Sequence, residues 1–253
     1  MDKVELLGIP VDVIDRPALL QKIDELAASP GVSLVNNVNA HACNLAVSDP
    51  EFHKILCGSD VVFCDGFGVK LAARLLGKKL GERMTPPDWI DELFALCVRK
   101  RYCVYFLGDT HEVVRKFSET VHRKHPHLRI AGSHDGFFDL GSDATAALFN
   151  EIVRLRPDII LTGMGMPRQE KWAWMAKKRI GKGTIIATGA LFRWYTGHEK
   201  RAPFWMTQIG LEWLARLLAA PRRHFKRYVF GLPVFFLRIM KQRIAPHSGD
   251  VEE

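Results

Sequence analysis

The sequence has few cysteines and no long apolar run. Its five cysteines are an odd number and none forms a CxxC pair, so we expect no disulfide framework and a reducing compartment. The first residues lack the apolar core of a signal peptide. No segment approaches the roughly 20 apolar residues of a membrane-spanning helix. The longest candidate, Tyr228 to Met240, is shorter and contains Arg238.

Several catalytic signatures are also missing. The chain contains no GxSxG, HExxH or Walker A motif. It has no DxD-type acidic pair, which argues against a bound divalent metal. Three histidines lie around Pro126, at His122, His125 and His127, but their spacing does not match a zinc site. We therefore expect neither a metal nor another cofactor.

Acidic residues are absent between Trp213 and Gly249, a segment that carries eight lysines or arginines. Most of the net charge of +8 therefore comes from this one segment. Aromatic and aliphatic residues are interleaved with the cations, as in a helix that lies among lipid headgroups. The segment predicts binding to an anionic membrane surface. Nucleic-acid binding and packing against the core remain alternatives at this point.

The chain before this segment alternates short apolar runs with longer amphipathic stretches, which predicts strands alternating with helices. We therefore expect an α/β fold with a Rossmann-like parallel sheet flanked by helices. An α/β domain is predicted over residues 1–203, and a basic, amphipathic, helical C-terminal appendage over residues 204–253. The candidate strands are Val4–Leu7, Ser33–Asn36, Val61–Cys64, Cys103–Leu107, Ile159–Thr162 and Thr184–Thr188.

Polar or glycine-rich residues follow several of these strands. In a parallel sheet, ligands bind beyond the carboxyl ends of the strands, so these positions are candidates for a binding site. Asn and Asp residues at such positions can instead be turn formers or helix caps. The candidates are Asn37, Asn39, Asp65, Gly165 and Gln169.

A Rossmann-like sheet also occurs in redox enzymes and in nucleotide-binding modules without catalysis. The segment from Gly163 to Gly165 is not a complete dinucleotide fingerprint, because Arg168 stands where the third glycine would be. No ribose-binding acid completes the pattern, which weakens the redox interpretation. A non-catalytic nucleotide-binding protein remains the main alternative to an enzyme.

Eight short motifs occur in a characteristic order, and together they resemble the WecG/TagA/CpsF family, glycosyltransferase family 26. The resemblance extends over roughly residues 1 to 230 and depends on the ordered set of motifs. The motifs are Asn39–His41, Asp65–Val69, Arg83 within GERMTPPD, Tyr105–Gly108, His134–Phe138, Gly165–Trp172, Thr196–Pro203 and Gly210–Leu217.

The resemblance implies a function for the whole chain. Members of this family transfer a sugar from a UDP-sugar to a sugar on undecaprenyl diphosphate, with inversion and without a metal. Their basic C-terminal appendage binds the membrane and is proposed to complete the active site. This chain would then be a peripheral enzyme on the cytoplasmic face of the inner membrane, with no nucleic-acid partner. The family also suggests a homo-oligomer.

The resemblance also assigns roles to residues. Asp65 matches the proposed general base, and Asn39, Arg83 and Gln169 match polar residues that line the same pocket. The leaving diphosphate of a metal-free transfer needs cationic partners, and arginine matches phosphate oxygens in pairs. Besides Arg83, the candidates are two arginines of the appendage, Arg222 and Arg223.

Two positions depart from the family pattern. The family often has Thr at the position of Asn37, whose amide can still form a hydrogen bond with a sugar. The family often has an acid at the position of Arg193, so we expect the local charge to be reversed. We include both residues among the candidate substrate contacts.

Replacing Arg193 by Asp restores the acid that the resemblance leads us to expect. We predict that Arg193→Asp changes the preference among donor or acceptor sugars, because the charge beside the substrate changes sign. Competition between donor sugars measures this preference. An unchanged preference would count against a role for Arg193 in specificity.

Overall fold

The computed structural model describes residues 2–244, apart from the side chains of Phe204, Gln208 and Arg223. Its centre is a six-stranded parallel sheet with the strand order β4-β3-β8-β7-β5-β6. This confirms the predicted α/β fold with a parallel sheet flanked by helices. The strands are β3 (Gly31–Val38), β4 (Val61–Cys64), β5 (Cys103–Gly108), β6 (Arg129–His134), β7 (Ile159–Gly163) and β8 (Lys182–Ala187).

Most strands of the sheet are apolar and buried on both faces. Every residue of β4 (VVFC) and β7 (IILTG) is buried, as are the last five residues of β8. Helices cover both faces of a parallel sheet, so its strands appear in sequence as continuous apolar runs. This explains why these strands could be predicted. The edge strand β6 (RIAGSH) was missed, because it is only partly buried and has no comparable run.

The first predicted strand, Val4–Leu7, does not belong to the parallel sheet. It forms an antiparallel hairpin of β1 (Lys3–Leu6) and β2 (Ile9–Asp12). Leu7 and Gly8 both have positive φ, at 52° and 79°, the backbone conformation of a tight two-residue hairpin turn. The Asp12 carboxylate accepts a hydrogen bond from the Val62 amide at 2.7 Å, so the hairpin covers the exposed edge of β4.

The helices lie on both faces of the sheet. On one face α1, α5, α6 and α9 pack around Phe94, Phe106 and Phe117, and on the other α7 and α8 pack around Trp172. The bounds are α1 (Arg16–Ala28), α2 (Ala40–Ser48), α3 (Pro50–Cys57), α4 (Phe67–Leu75), α5 (Pro86–Lys100), α6 (His111–Lys124), α7 (Asp143–Leu155), α8 (Arg168–Ala176), α9 (Leu191–Tyr195), α10 (Phe204–Gln208), α11 (Glu212–Ala219), α12 (Pro221–Phe225) and α13 (Gly231–Ile244).

One face of the C-terminal segment packs against the core. A π-helical turn, Lys226–Phe230, joins α12 to α13, and α13 contacts α2 and α4. Phe235 and Ile239 of α13 are completely buried in a cluster that includes the small residues Ala42 and Ala72. Small side chains on α2 and α4 let α13 approach closely. For this face of α13, the packing alternative is correct.

The other face of the C-terminal segment carries apolar side chains that remain exposed. Among the described residues, no helix is both long enough and apolar enough to cross a membrane. The exposed apolar residues of this segment are Trp205, Ile209, Leu218, Phe225, Val229, Phe230, Val234, Leu237, Met240 and Ile244. The predicted membrane contact of residues 204–253 therefore stays a prediction, and residues 245–253 lie outside the described part of the chain.

Neighbouring positions on α13 allow the packed and exposed faces to be compared. We predict that Phe235→Ala lowers the free energy of unfolding by about 3–5 kcal/mol, because it leaves a cavity in the core. Leu237→Ala is the matched control, because Leu237 is 69% exposed, and should change it by about 0.5 kcal/mol or less. Denaturant unfolding measures both. Equal effects would contradict the packing of α13 described above.

Candidate active site

A cleft of about 910 Å³ lies at the carboxyl ends of the strands. The loops after β3, β4, β5, β7 and β8 line it on one side, and the C-terminal helices line it on the other. Strand β5 connects through α6 to β6, and β7 connects through α8 to β8 in the opposite direction. This divergence is the topological switch point at which α/β sheets bind their ligands.

Asp65 lies where this cleft meets a smaller pocket of about 100 Å³. The residue directly follows β4, and its amide donates a hydrogen bond to Val38 O at 2.8 Å. Gly66, with φ of 133°, then turns the chain into α4 in a conformation that other residues rarely adopt. Asn39, His41, Arg216 and Arg227 also line both cavities. Asp65 is therefore accessible from two directions.

Asn39 orients Asp65 and caps a helix at the same time. Its side-chain oxygen accepts hydrogen bonds from the amides of His41 and Ala42, both at 3.1 Å, at the start of α2. The side-chain nitrogen is then left to donate to Asp65, and this hydrogen bond favours the ionised carboxylate. Asn39 can therefore cap α2 with its side-chain oxygen and contribute to the candidate site with its side-chain nitrogen at the same time.

The charges around Asp65 set its proton affinity. Burial raises the pKa of Asp65 to about 6, and the nearby Glu212 carboxylate also raises it. Arg216, Arg83 and the hydrogen bond from Asn39 act in the opposite direction. A carboxylate with a pKa near neutrality can accept a proton at physiological pH and remains a useful base.

Glu212 links two arginines at the pocket wall. Its carboxylate lies 3.6 Å from Arg83 Nη1 and 2.5 Å from Arg216 Nη2. Arg83 also faces Asp88, with Nη2 at 3.5 Å from Oδ2. The guanidinium of Arg216 lies 4.4 Å from the centre of the Trp194 ring, which adds a cation–π contact. Arg83 lines the small pocket and also holds Glu212 in place, and its contact with a substrate stays a prediction.

Among the described side chains, the arginines of the C-terminal segment that line both cavities with Asp65 are Arg216 and Arg227. Arg222 was predicted for this role, but it is exposed and lines neither cavity, and the side chain of Arg223 is not among those described. The π-helical turn and the preceding short helices determine which of the closely spaced arginines faces inward. Arg216 is four residues after Glu212 in a quoted family motif, and this helical spacing was the available signal.

His41 was also missed, although it follows Asn39 in the first family motif. It lines both cavities, and burial, with a smaller effect of Arg227, lowers its pKa to about 4. His41 is therefore neutral at physiological pH and adds no positive charge beside Asp65. Its imidazole can accept or donate a hydrogen bond there.

Asn37 and Gly165 line the large cleft, and their contact with a substrate stays a prediction. The side-chain nitrogen of Asn37 donates to Ala187 O at 2.8 Å, so this amide connects β3 to the end of β8. Gly165 has φ of 77° and no atom within 4 Å of a Cβ added there. The constraint at Gly165 is therefore the backbone conformation rather than crowding.

Gln169 lies behind the cleft wall rather than on it. It is completely buried, and its side-chain oxygen accepts a hydrogen bond from Gly189 N at 3.3 Å. Its nitrogen donates to Glu170 Oε1 at 2.8 Å. Gln169 therefore does not line the cleft, because its amide holds the 188–190 loop that does. A direct contact of Gln169 with the substrate stays a prediction.

Arg193 lines the cleft, but it does not reverse the local charge. Its Nε and Nη2 lie 2.5 Å and 3.0 Å from the two carboxylate oxygens of Asp109, and Nη1 lies 3.3 Å from Glu199. One arginine between two carboxylates leaves a formal charge of about −1. The expected reversal is therefore corrected, because a partner distant in sequence compensates for it.

The described residues contain no group of three or more His, Cys, Asp or Glu side chains that could hold a metal ion. The arginines that line the small pocket together with Asp65 are Arg83, Arg216 and Arg227. They can neutralise the charge of a phosphate group, and arginine can do so with paired hydrogen bonds.

The fold and the cleft define an α/β protein that binds ligands at the switch point of a parallel sheet. The family model described as "Glycosyl transferase WecG/TagA/CpsF family" matches residues 4–249. The chain belongs to this family, and the resemblance predicted from the motifs is confirmed. It is therefore a glycosyltransferase.

Two relatives carry the name N-acetylglucosaminyldiphosphoundecaprenol N-acetyl-beta-D-mannosaminyltransferase. The one from Bacillus subtilis (strain 168) is 28% identical over 232 residues, which cover 92% of this chain and 85% of the relative. The one from Staphylococcus aureus (strain NCTC 8325 / PS 47) is 25% identical over 246 residues, covering 95% and 93%. The similarity thus includes both the sheet and the C-terminal segment.

The burial of Glu170 behind the cleft wall makes the stability of the fold depend on pH. It is completely buried, and burial raises its pKa from 4.5 to about 7. The folded state therefore holds this proton more tightly than the unfolded state. The stabilisation that comes from the protonated Glu170 is fully present below the pKa that this group has in the unfolded chain. It is lost as the pH rises through about 7, and the free energy of unfolding then falls by about 3 kcal/mol.

We predict that Glu170→Gln is more stable than the wild type at about pH 8.5 and loses this advantage near pH 5, because Gln carries no charge to bury. Denaturant unfolding at both pH values measures the difference. Glu119→Gln is the control, because Glu119 is exposed and its ion pair with Arg115 contributes about 0.5 kcal/mol or less. The same gain at both pH values would contradict a protonated Glu170.

Proposed function

We propose that this glycosyltransferase moves a sugar from a UDP-sugar to a sugar attached to undecaprenyl diphosphate, with inversion and without a metal. The observation that carries the proposal is the position of Asp65 at the junction of two cavities that Arg216 and Arg227 also line. One cavity can then hold the donor while the acceptor approaches from the other. The names of the two relatives support this acceptor.

Asp65 is the general base in this proposal. An inverting transfer needs one base, which removes the proton from the acceptor hydroxyl as its oxygen attacks the anomeric carbon. The pKa of about 6 keeps Asp65 ionised at neutral pH, while its burial maintains its basicity. Asn39 holds the carboxylate in one orientation through the hydrogen bond described above.

Arg216 and Arg227 stabilise the leaving UDP. Negative charge develops on the diphosphate as the bond to the sugar breaks, and fixed cations in a partly closed site stabilise that charge. Glu212 fixes one of these cations, Arg216, through a contact of 2.5 Å. Arg83, on the other side of Glu212, holds this carboxylate and contributes to the same positive field.

The exposed apolar face of the C-terminal helices is the surface that meets the membrane in this proposal. An isoprenoid acceptor stays in the bilayer, so the enzyme has to bind at the bilayer surface. The cations of the same segment attract anionic headgroups, by about 1 kcal/mol for each Lys or Arg near the surface. The enzyme would then be peripheral, on the cytoplasmic face of the inner membrane.

The general-base role predicts a specific kinetic effect. We expect Asp65→Asn to lower kcat by about 100-fold or more, with a smaller change in the KM of the donor, because Asn cannot accept the proton. For the wild type, kcat/KM should fall about tenfold per pH unit below about pH 6, as Asp65 becomes protonated. Steady-state kinetics over a pH series measures both.

Asp143→Asn is the control for this experiment, because Asp143 is exposed at the start of α7, away from both cavities. It should retain wild-type turnover. A folded Asp65→Asn enzyme with near-normal kcat would overturn the general-base assignment. Deletion of the chain from Pro221 is a poorer test, because it would also remove Phe235 and Ile239 from the core.

A further inference from the structure

A second groove, of about 560 Å³, opens beside the candidate active site. It lies between α2 on one side and the π-helical turn and α13 on the other. Three of its residues, His41, His224 and Arg227, also line the large cleft, so the groove continues from that cleft. The other lining residues are Asn44, Leu45, Ser48, Lys226, Phe230, Gly231, Val234 and Arg238.

Apolar side chains form part of the groove walls, which we call the apolar channel. Leu45 lies on the α2 side, and Phe230 and Val234 lie opposite. Phe230 is 61% exposed and Val234 is 39% exposed, although both are apolar. Exposed apolar side chains along a groove indicate a surface that an apolar ligand can cover. Leu237 and Ile244 extend the exposed apolar face along α13.

The groove also has a cationic lining. Arg227, Lys226 and Arg238 line it, and none of its lining residues is acidic. The Asn44 side chain and backbone accept hydrogen bonds from Arg238 Nη1 at 2.9 Å and 3.2 Å, which fixes this guanidinium on α2. Asn44 also donates to Gly231 O at 2.7 Å, so one residue holds both walls together.

The combination of these features matches one kind of ligand. Arg227 lines both the pocket of Asp65 and the groove, and the groove continues with the cations Lys226 and Arg238 interleaved with its apolar side chains. A molecule in which a diphosphate joins a sugar to a hydrocarbon chain is complementary to this mixed lining. Charge complementarity therefore favours an anionic lipid substrate over a free hydrocarbon or a headgroup alone.

We propose that this groove binds the isoprenoid segment nearest to the diphosphate of the lipid acceptor. The inference rests on the proposed function for the identity of the acceptor. The groove then selects acceptors by their hydrocarbon chain, and it directs the sugar of the acceptor toward Asp65. Contact with the bilayer is left to the exposed apolar residues outside the groove.

Binding of farnesyl diphosphate compared with inorganic diphosphate tests the groove without turnover. We expect the wild type to bind farnesyl diphosphate about tenfold or more tightly, because the groove buries part of the isoprenoid. Val234→Glu should abolish this preference, since it places a carboxylate in the apolar channel. Val234→Trp should also abolish it by filling the channel without adding charge. Calorimetric titration measures each affinity.

Val229→Glu is the matched control, because Val229 is also 39% exposed on the same segment but does not line the groove. It should keep the preference for farnesyl diphosphate. Retention on vesicles that contain anionic lipid should be equal for Val229→Glu and Val234→Glu. If only Val234→Glu loses vesicle binding while both keep the preference, the groove takes a lipid headgroup and the proposal is overturned.

Transfer assays separate this inference from the proposed function. If the preference for farnesyl diphosphate depends on Val234 but no sugar transfer to a lipid acceptor occurs, the groove is supported and the proposed function fails. If transfer occurs and the wild type binds both probes equally, the groove inference is overturned and the proposed function stands. With active enzyme, Val234→Glu should raise the KM of a long-chain acceptor about tenfold and leave that of a short-chain acceptor within about twofold.

Discussion

The burial of Phe235 and Ile239 against α2 and α4 is the contact on which the site depends. These two side chains attach the end of the chain to the body of the protein, and they thereby determine where α11 and the π-helical turn run. Arg227 lines the pocket of Asp65 in this arrangement, and Arg216 of α11 is also held there through the contact of Glu212 with Arg83. Without this packing, the carboxylate at the end of β4 would face open solvent, and its pKa would not be raised by burial.

The charges of the site form a compensated group rather than a basic patch. Glu212 lies between Arg83 and Arg216, and Asp88 contacts Arg83 from the other side. Each buried or partly buried charge therefore has a partner, which limits the cost of removing it from water. The same arrangement keeps the arginines in place before a diphosphate arrives, so little reorganisation is needed when negative charge develops. His41 stays neutral and does not disturb this balance.

Arg193 shows how a departure from a family pattern depends on its spatial surroundings. In sequence, an arginine at a position that often carries an acid suggests a reversed charge. In the structure, Asp109 follows β5, Arg193 belongs to α9, and the two are joined by a paired ion contact. The cleft retains acidic character there, supplied by a different strand. A specificity argument for this position has to consider both residues together.

The sequence alone determined the α/β class, the inner strands, and the positions of Asp65 and Asn39, because these depend on local patterns. Apolar runs report burial on both faces of a sheet, and a polar residue directly after a strand must lie at its carboxyl edge. The tertiary structure decided which basic residues reach Asp65, that Gln169 is buried behind Gly189, and that the first strand forms a hairpin. These outcomes depend on packing between segments far apart in the chain, which a local pattern does not encode. For the basic C-terminal segment, composition indicated its charge, but only the tertiary structure showed that, among the described side chains, Arg216 and Arg227 line the pocket of Asp65.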